Sequence, residues 1–224
     1  MVTVRQAWRM VGGLSEPGKM PGYAHGGPVD ACRVGGRLAK IPGTVCHRCY
    51  AGRNRFTWRA LRAALRRRMR SLERPPSQWV DAMVRLLEAQ RWFRWFDSGD
   101  LQSLDHLRRI VAVCERTPWC QHWLPTREVA TVRAFVRGGG RFPPNLTVRL
   151  SATWIDGPPP AVSGELYAAG VRTLTVHSER PAHGFVCEAA APVPGRPGKH
   201  YQPSCDLCRA CWSRATENTS YPLH

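Results

Sequence analysis

Residues 91–128 read RWFRWFDSGDLQSLDHLRRIVAVCERTPWCQHWLPTRE. Arg91 to Phe96 is predicted as a buried strand that ends at Asp97-Ser98-Gly99-Asp100. Ser103 then caps a helix that turns Leu104, Leu107, Ile110, Val111 and Cys114 inward at helical spacing. Cys120 to Leu124 is predicted as the next strand, ending at Pro125-Thr126-Arg127-Glu128. A strand, a capped helix and a second strand within 38 residues are the unit of an α/β protein with parallel strands.

The alternation continues downstream. A short helix runs through about Arg137 and stops at Gly138-Gly139-Gly140, and Leu146 to Ala152 is a third strand ending in Thr153-Trp154-Ile155-Asp156. After Pro158-Pro159-Pro160 and a short helix near Glu165 to Ala169, Val171 to Val176 is a fourth strand, ending at His177-Ser178-Glu179. Right-handed crossovers between such strands give a parallel sheet, open or curved into a partial (β/α) barrel. Ligands of such folds sit beyond the carboxyl ends of the strands, where each predicted strand here ends in polar groups.

Upstream, Trp58, Leu61, Leu65, Met69 and Leu72 form a helical apolar stripe from Thr57 to about Arg74, closed by Pro75-Pro76. Ser77 is predicted to cap a second helix with Trp79, Val80, Met83, Val84 and Leu87 on its buried face. Residues 1–45 are rich in glycine and proline, which predicts turns and loops. The whole chain, 1–224, is expected to be one domain: a cysteine-bearing loop region (1–56), a βα core (57–180) and a C-terminal cysteine segment (181–224). No stretch approaches the roughly 20 apolar residues of a membrane span, so a soluble, intracellular protein is expected. Thiols stay reduced there, so the nine cysteines are expected to be metal ligands and small buried residues.

Cys205-x2-Cys208-x2-Cys211 lets one loop aim successive thiolates at a common point, and Cys187 is the nearest fourth ligand. This overlapping triple suits an iron–sulfur cluster better than the two separate knuckles of a zinc site, with zinc as the alternative metal. Cys46-x2-Cys49 lies thirteen residues after Cys32 in the glycine-rich region. Three cysteines fit a [4Fe–4S] cluster with one iron left open, or a closed site completed by His25 or His47. Cys114 and Cys120 read as buried structural residues.

Thirty-three basic against sixteen acidic residues give a formal net charge of +17, which favours a polyanionic partner such as nucleic acid. The basic residues are almost all arginine; GC-rich coding would explain that preference, though not the charge excess. Arg59, Arg62, Arg66, Arg67 and Arg70 crowd the predicted 57–74 helix with only Glu73 to offset them, so this helix is the candidate phosphate-contacting surface.

The segments Lys19-Met20-Pro21-Gly22, Leu38 to Pro42 leading to Cys46-x2-Cys49-Tyr50-Ala51, Arg94 to Ser103, Trp123 to Glu128, and Cys205-x2-Cys208-x2-Cys211-Trp212 resemble the mycobacteriophage family called gene product 88. That resemblance implies a phage origin, and hence the cytoplasm of a bacterial host, but no established chemistry. The layout is also similar to radical S-adenosylmethionine enzymes, in which a three-cysteine cluster precedes a partial barrel. The similarity implies Cys32, Cys46 and Cys49 as cluster ligands and S-adenosylmethionine as a small-molecule cofactor. It places Ser98, Gly99, Asp100 and Ser151 at the cofactor, and Arg127, Glu128 and His177 as the residues that orient a substrate. Two departures are the thirteen-residue spacing after Cys32, and four predicted strands where about six are expected. A nucleic-acid-binding protein whose metal sites only staple the fold is the rival expectation. A hydrolase using Asp97, Asp100 and Asp156 on a hard cation ranks third.

Overall fold

The computed structural model describes residues 2–178, 183–187, 205 and 207–223. Among them, seven strands form one sheet: β1 (Tyr23–His25), β2 (Trp92–Trp95), β3 (Gln121–Thr126), β4 (Leu146–Ile155), β5 (Arg172–His177), β6 (Phe185–Val186) and β7 (Asn218–Pro222). Their order is β1-β2-β3-β4-β5-β7-β6, and every neighbouring pair is parallel. The helices are α1 (Val4–Met10), α2 (Arg33–Leu38), α3 (Arg59–Ser71), α4 (Pro76–Leu87), α5 (Leu104–Arg116), α6 (Val129–Arg137) and α7 (Gly164–Ala168).

The period of two along each strand decides what each face of the sheet does. Phe93 and Trp95 of β2, Leu124 of β3, and Leu146, Val148 and Leu150 of β4 are fully buried on one face. There they meet α1, α4, α5, α6 and α7, which lie side by side in that order. The side chains in between, Trp92, Arg94, Trp123, Thr147, Arg149 and Ser151, point to the opposite face. Because β1 to β5 are added in sequence with their helices on one side, that second face is left for the loops and the C-terminal segment.

Arg149 fixes what lies there. Its guanidinium is fully buried and donates to five carbonyls: Cys211 (3.0 Å), Thr173 (3.0 Å), Ala210 (2.8 Å), Ser213 (2.8 Å) and Thr216 (2.9 Å). Thr147 adds a hydroxyl bond to the Trp212 carbonyl at 2.7 Å, and the Trp212 indole donates to the Phe93 carbonyl at 2.9 Å. Residues 210–216 are thereby seated across the lower half of this face, and the chain leaves them directly into β7.

Several expectations are corrected. Residues 1–45 are not all loop, since α1, β1 and α2 lie in them; Thr3 and Gln6 form a reciprocal cap on α1. Ser77 does not cap α4. That helix starts at Pro76, whose fixed φ suits the first turn, with Pro75 at the cap position. Trp58 is not on the apolar stripe but is 63% exposed at the start of α3. Pro125, Thr126 and residues 153–155 belong to strands instead of following them. Glu179 lies outside the described residues.

Two outcomes are expected. Replacing Arg149 by methionine keeps the volume but leaves carbonyls unpaired in the interior, at a cost on the order of 3–5 kcal/mol. Thermal denaturation should show a fall in Tm of about 10 °C, with Arg149→Lys intermediate because it restores only three donors. Separately, His25, His106 and His122 are buried among Trp79, Trp95 and Phe96. Burial lowers each to about 3. Their neutral rings favour the fold above pH 6.5, and that contribution is lost as pH falls towards 3, because the unfolded chain takes up the protons. Between pH 7 and 5 each should cost about 2 kcal/mol. His106→Leu should stay folded and flatten the acid branch of a Tm-against-pH curve; an unchanged slope would refute the assignment.

Candidate functional site

The upper half of the same face, at the carboxyl ends of the strands, is open. It forms a cleft of about 820 Å³ lined by Cys32, Cys46 and Cys49 together with Ser98, Asp100, Arg127 and Ser151. Its floor is Arg94, Trp123 and Tyr221, above the seated C-terminal segment.

The cysteine loop is tied to the ends of three strands in turn. Near the end of β2, the Tyr50 hydroxyl donates to the Asp97 carbonyl at 2.5 Å. Just past β3, Glu128 Oε1 accepts from the Val34 backbone N–H at 2.9 Å, in the first turn of α2, immediately after Cys32. On β4, Val45 N–H donates to the Thr153 carbonyl at 2.9 Å, and Thr44 bridges Trp154. Gly35, inside α2, faces the two cysteines: a Cβ there would press on Cys32 Cβ at 3.2 Å and touch Cys46 Sγ at 3.4 Å and Cys32 Sγ at 3.8 Å.

Phe96, just past β2, is in the left-handed region at φ 58° and turns the chain into residues 97–100. Gly99, at φ 75°, lies against Gly27, whose carbonyl a Cβ would meet at 2.7 Å. Ser98 Oγ donates to the same carbonyl at 2.9 Å. The Asp100 carboxylate accepts from Thr126 Oγ1 (2.5 Å), Arg127 N–H (2.9 Å) and Leu101 N–H (2.8 Å). Burial nevertheless raises it to about 6, with those bonds opposing. Burial also raises Cys32 to about 12, with Asp100 and the other two cysteines adding, and it raises Cys46. Burial thus keeps Cys32 and Cys46 as thiols, and a bound cation would reverse that balance.

The predicted site residues divide clearly. Cys32, Cys46, Cys49, Ser98, Gly99, Asp100, Arg127 and Ser151 all line the cleft. Glu128 and His177 do not. Glu128 is buried, and its carboxylate holds α2. His177 points to the other side of β5, where Nδ1 meets Ser220 Oγ at 2.8 Å. Of the two candidate histidines, His47 is on the cleft with Nδ1 at 3.0 Å from the Ala39 carbonyl, whereas His25 is in the aromatic core beneath α4. Asp156 accepts from the Ser178 N–H and hydroxyl, and Asp97, Asp100 and Asp156 are not gathered as one cation site among the described residues.

Cys187, Cys205, Cys208 and Cys211 form the second group; Cys187 directly follows the carboxyl end of β6, where its N–H donates to the Ser220 carbonyl at 2.8 Å. Cys205 and Cys211 each feel Cys187, and Cys205 also feels Cys208. Cys211 is buried, with Sγ 2.8 Å from the Tyr221 hydroxyl, while Cys208 is exposed. Among the described residues, no three His, Cys, Asp or Glu groups converge closely enough to hold a single metal ion. The Arg59, Arg62, Arg66, Arg67 and Arg70 side chains are exposed on α3, and only Arg66 forms an ion pair among the described residues, with Asp30 at 3.2 Å.

A family model for gene product 88 matches residues 29–214, which takes in both cysteine sets and the sheet between them. The chain belongs to the gene product 88 family. Membership supports a bacteriophage origin. No curated protein matches the chain, and no solved structure does. Among the described residues, no helix is long and apolar enough to cross a membrane.

The residue that sequence reasoning passed over in this family member is Arg94, on the cleft floor. It lies 4.5 Å from the Trp123 ring centroid, its Nη2 is 3.3 Å from the Tyr50 hydroxyl, and its buried Nε has no partner among the described residues. A lone arginine inside Trp92-Phe93-Arg94-Trp95-Phe96 was the available signal. The role of Glu128 is testable by hydrogen exchange: Glu128→Ala should speed exchange at the Val34 amide and cost about 1–2 kcal/mol. Unchanged protection at Val34 would show that the bond does not hold the loop.

Proposed function

We propose that this chain is an iron–sulfur protein of phage type, similar in layout to radical S-adenosylmethionine enzymes and acting on a nucleic acid or nucleotide. The observation that carries the reading is the position of Cys32, Cys46 and Cys49. One loop region brings them, and no other cysteine among the described residues, to the cleft beyond the strand ends. Their donor set fits the group. A tetrahedral zinc site needs sulfurs about 3.8 Å apart around one ion, whereas cluster ligands bind separate iron corners and need not converge.

When bound, such a cluster with an open iron supplies one-electron reduction of the S-adenosylmethionine sulfonium, the source of a radical that takes hydrogen from a substrate. The chain's own groups would do the rest. Asp100, on the Ser98-Gly99-Asp100 turn, would supply negative charge to hold the cofactor's ammonium group. Arg127 and Ser151 offer donors in the same cleft, and Arg94 offers a cation at the floor. A cleft of about 820 Å³ has room for a nucleoside cofactor and a substrate group together. The exposed arginines of α3 would hold the polyanion, and the reducing cytoplasm of a bacterial host is the compartment this chemistry needs. Those same arginines also favour a second reading, a nucleic-acid-binding protein in which iron–sulfur or zinc sites only staple loops.

Anaerobic purification with iron, sulfide and zinc determination separates the two. Iron and sulfide with a visible absorption band, and 5′-deoxyadenosine formed on adding reductant and S-adenosylmethionine, are expected. A colourless zinc protein would overturn the enzyme reading. Cys49→Ala should stay folded and lose the cofactor-dependent product, while Cys211→Ala should lower Tm, because that thiol is buried against Tyr221.

A further inference from the structure

The segment that joins the cleft to α3 carries a feature that the proposed chemistry does not use. Residues 48–62 leave the cysteine loop, pass through two short 3-10 turns (Tyr50–Gly52 and Asn54–Thr57) and enter α3. Arg48, Arg53, Arg55, Arg59 and Arg62 are all exposed along it. Arg48 and Arg53 line the cleft, and Arg55, Arg59 and Arg62 follow them in the chain outside its lining. None of the five forms an ion pair among the described residues, and the first turn of α3 holds no acidic group. In their midst Trp58 is 63% exposed, more than any other tryptophan among the described residues.

An exposed indole among arginines with no carboxylate partner among the described residues is costly as a mere surface: it leaves apolar area in water and positive charge unneutralised. The combination matches one partner chemistry. Single-stranded nucleic acid presents base faces that stack on an aromatic ring and phosphates that pair with arginines, whereas in a duplex the base faces are already stacked on one another. We infer that residues 48–62 form a track for single-stranded nucleic acid, with Trp58 as a base-stacking platform and Arg53, Arg55, Arg59 and Arg62 on the phosphates, leading the strand into the cleft. The inference rests on the nucleic-acid part of the proposed function and names the strand type and the entry path.

The test is fluorescence anisotropy with labelled single-stranded DNA, single-stranded RNA and duplex DNA, together with quenching of tryptophan emission, on the full-length protein as purified. Single strands are expected to bind more tightly than duplex, with log affinity falling against log salt at a slope of about −3. Trp58→Ala should weaken single-strand binding about tenfold or more, while Trp58→Phe should recover most of it. Arg59→Gln with Arg62→Gln should reduce the salt slope by about 1.4. Trp58 and both arginines are exposed, so an unchanged circular dichroism spectrum is expected for each variant. Equal affinity for duplex and single strands, with no effect of Trp58→Ala, would overturn the track and leave nucleic-acid binding standing elsewhere on the surface. Absence of binding to all three probes would overturn both the track and the nucleic-acid reading.

Discussion

The structure depends most on a cation with no anion beside it. Arg149 is buried in the middle of β4 and directs its guanidinium at five backbone carbonyls, four of them in residues 210–216. Burial makes its charge costly and lowers its pKa, and the fork of donors offsets that cost by satisfying a segment with no regular structure to satisfy itself. Once this segment is seated, three things are settled. Cys211 lies under Tyr221, β7 enters the sheet between β5 and β6, and the lower half of the open face is filled. The cleft is confined to the upper half, where the strand ends are.

The same device recurs. Arg214 donates to the carbonyls of Phe142, Pro143 and Leu146, Arg172 to those of Arg214 and Tyr167, and Arg74 to that of Met10. Part of the arginine excess is therefore structural: five donors on one side chain suit a fold whose loops carry many unpaired carbonyls, and lysine could not replace them. This divides the +17 charge into two populations. Arginines such as Arg149, Arg214 and the buried Arg68 are internal pins, and the exposed ones of residues 48–70 face water, with Arg66 alone of them in an ion pair among the described residues. Only the second population bears on a polyanion.

The cleft is held by redundancy. Tyr50, Glu128 and Val45 fasten the cysteine loop to the ends of β2, β3 and β4 separately, and Asp100 joins β2 to β3 through Thr126 and Arg127. A loop rich in glycine and proline acquires a fixed shape through these ties, which is what a site needs if three thiols from it are to act together. The polar strand ends that the sequence displays as one series thus do different work: Asp100 and Arg127 face the cleft, Glu128 fastens the loop, and Asp156 and His177 hold neighbouring strands.

The sequence by itself determined the parallel βα sheet, the capped helix after Ser103 and the two cysteine groups. These are carried by local signals: a period of two or 3.6, a side-chain cap and close spacing of like ligands. It was silent on β1, β6 and β7, which have three, two and five residues with little apolar alternation and exist only because a neighbouring strand supplies their hydrogen bonds. Tertiary structure alone decided which face each strand end presents. His177 and Val176 are adjacent in the chain, yet Val176 lines the cleft and His177 turns to Ser220, because successive side chains of a strand point to opposite sides. It likewise placed Glu128 on Val34, ninety-four residues away, and set Arg94 at the floor of the cleft. Those assignments depend on packing between distant segments, which spacing along the chain does not encode.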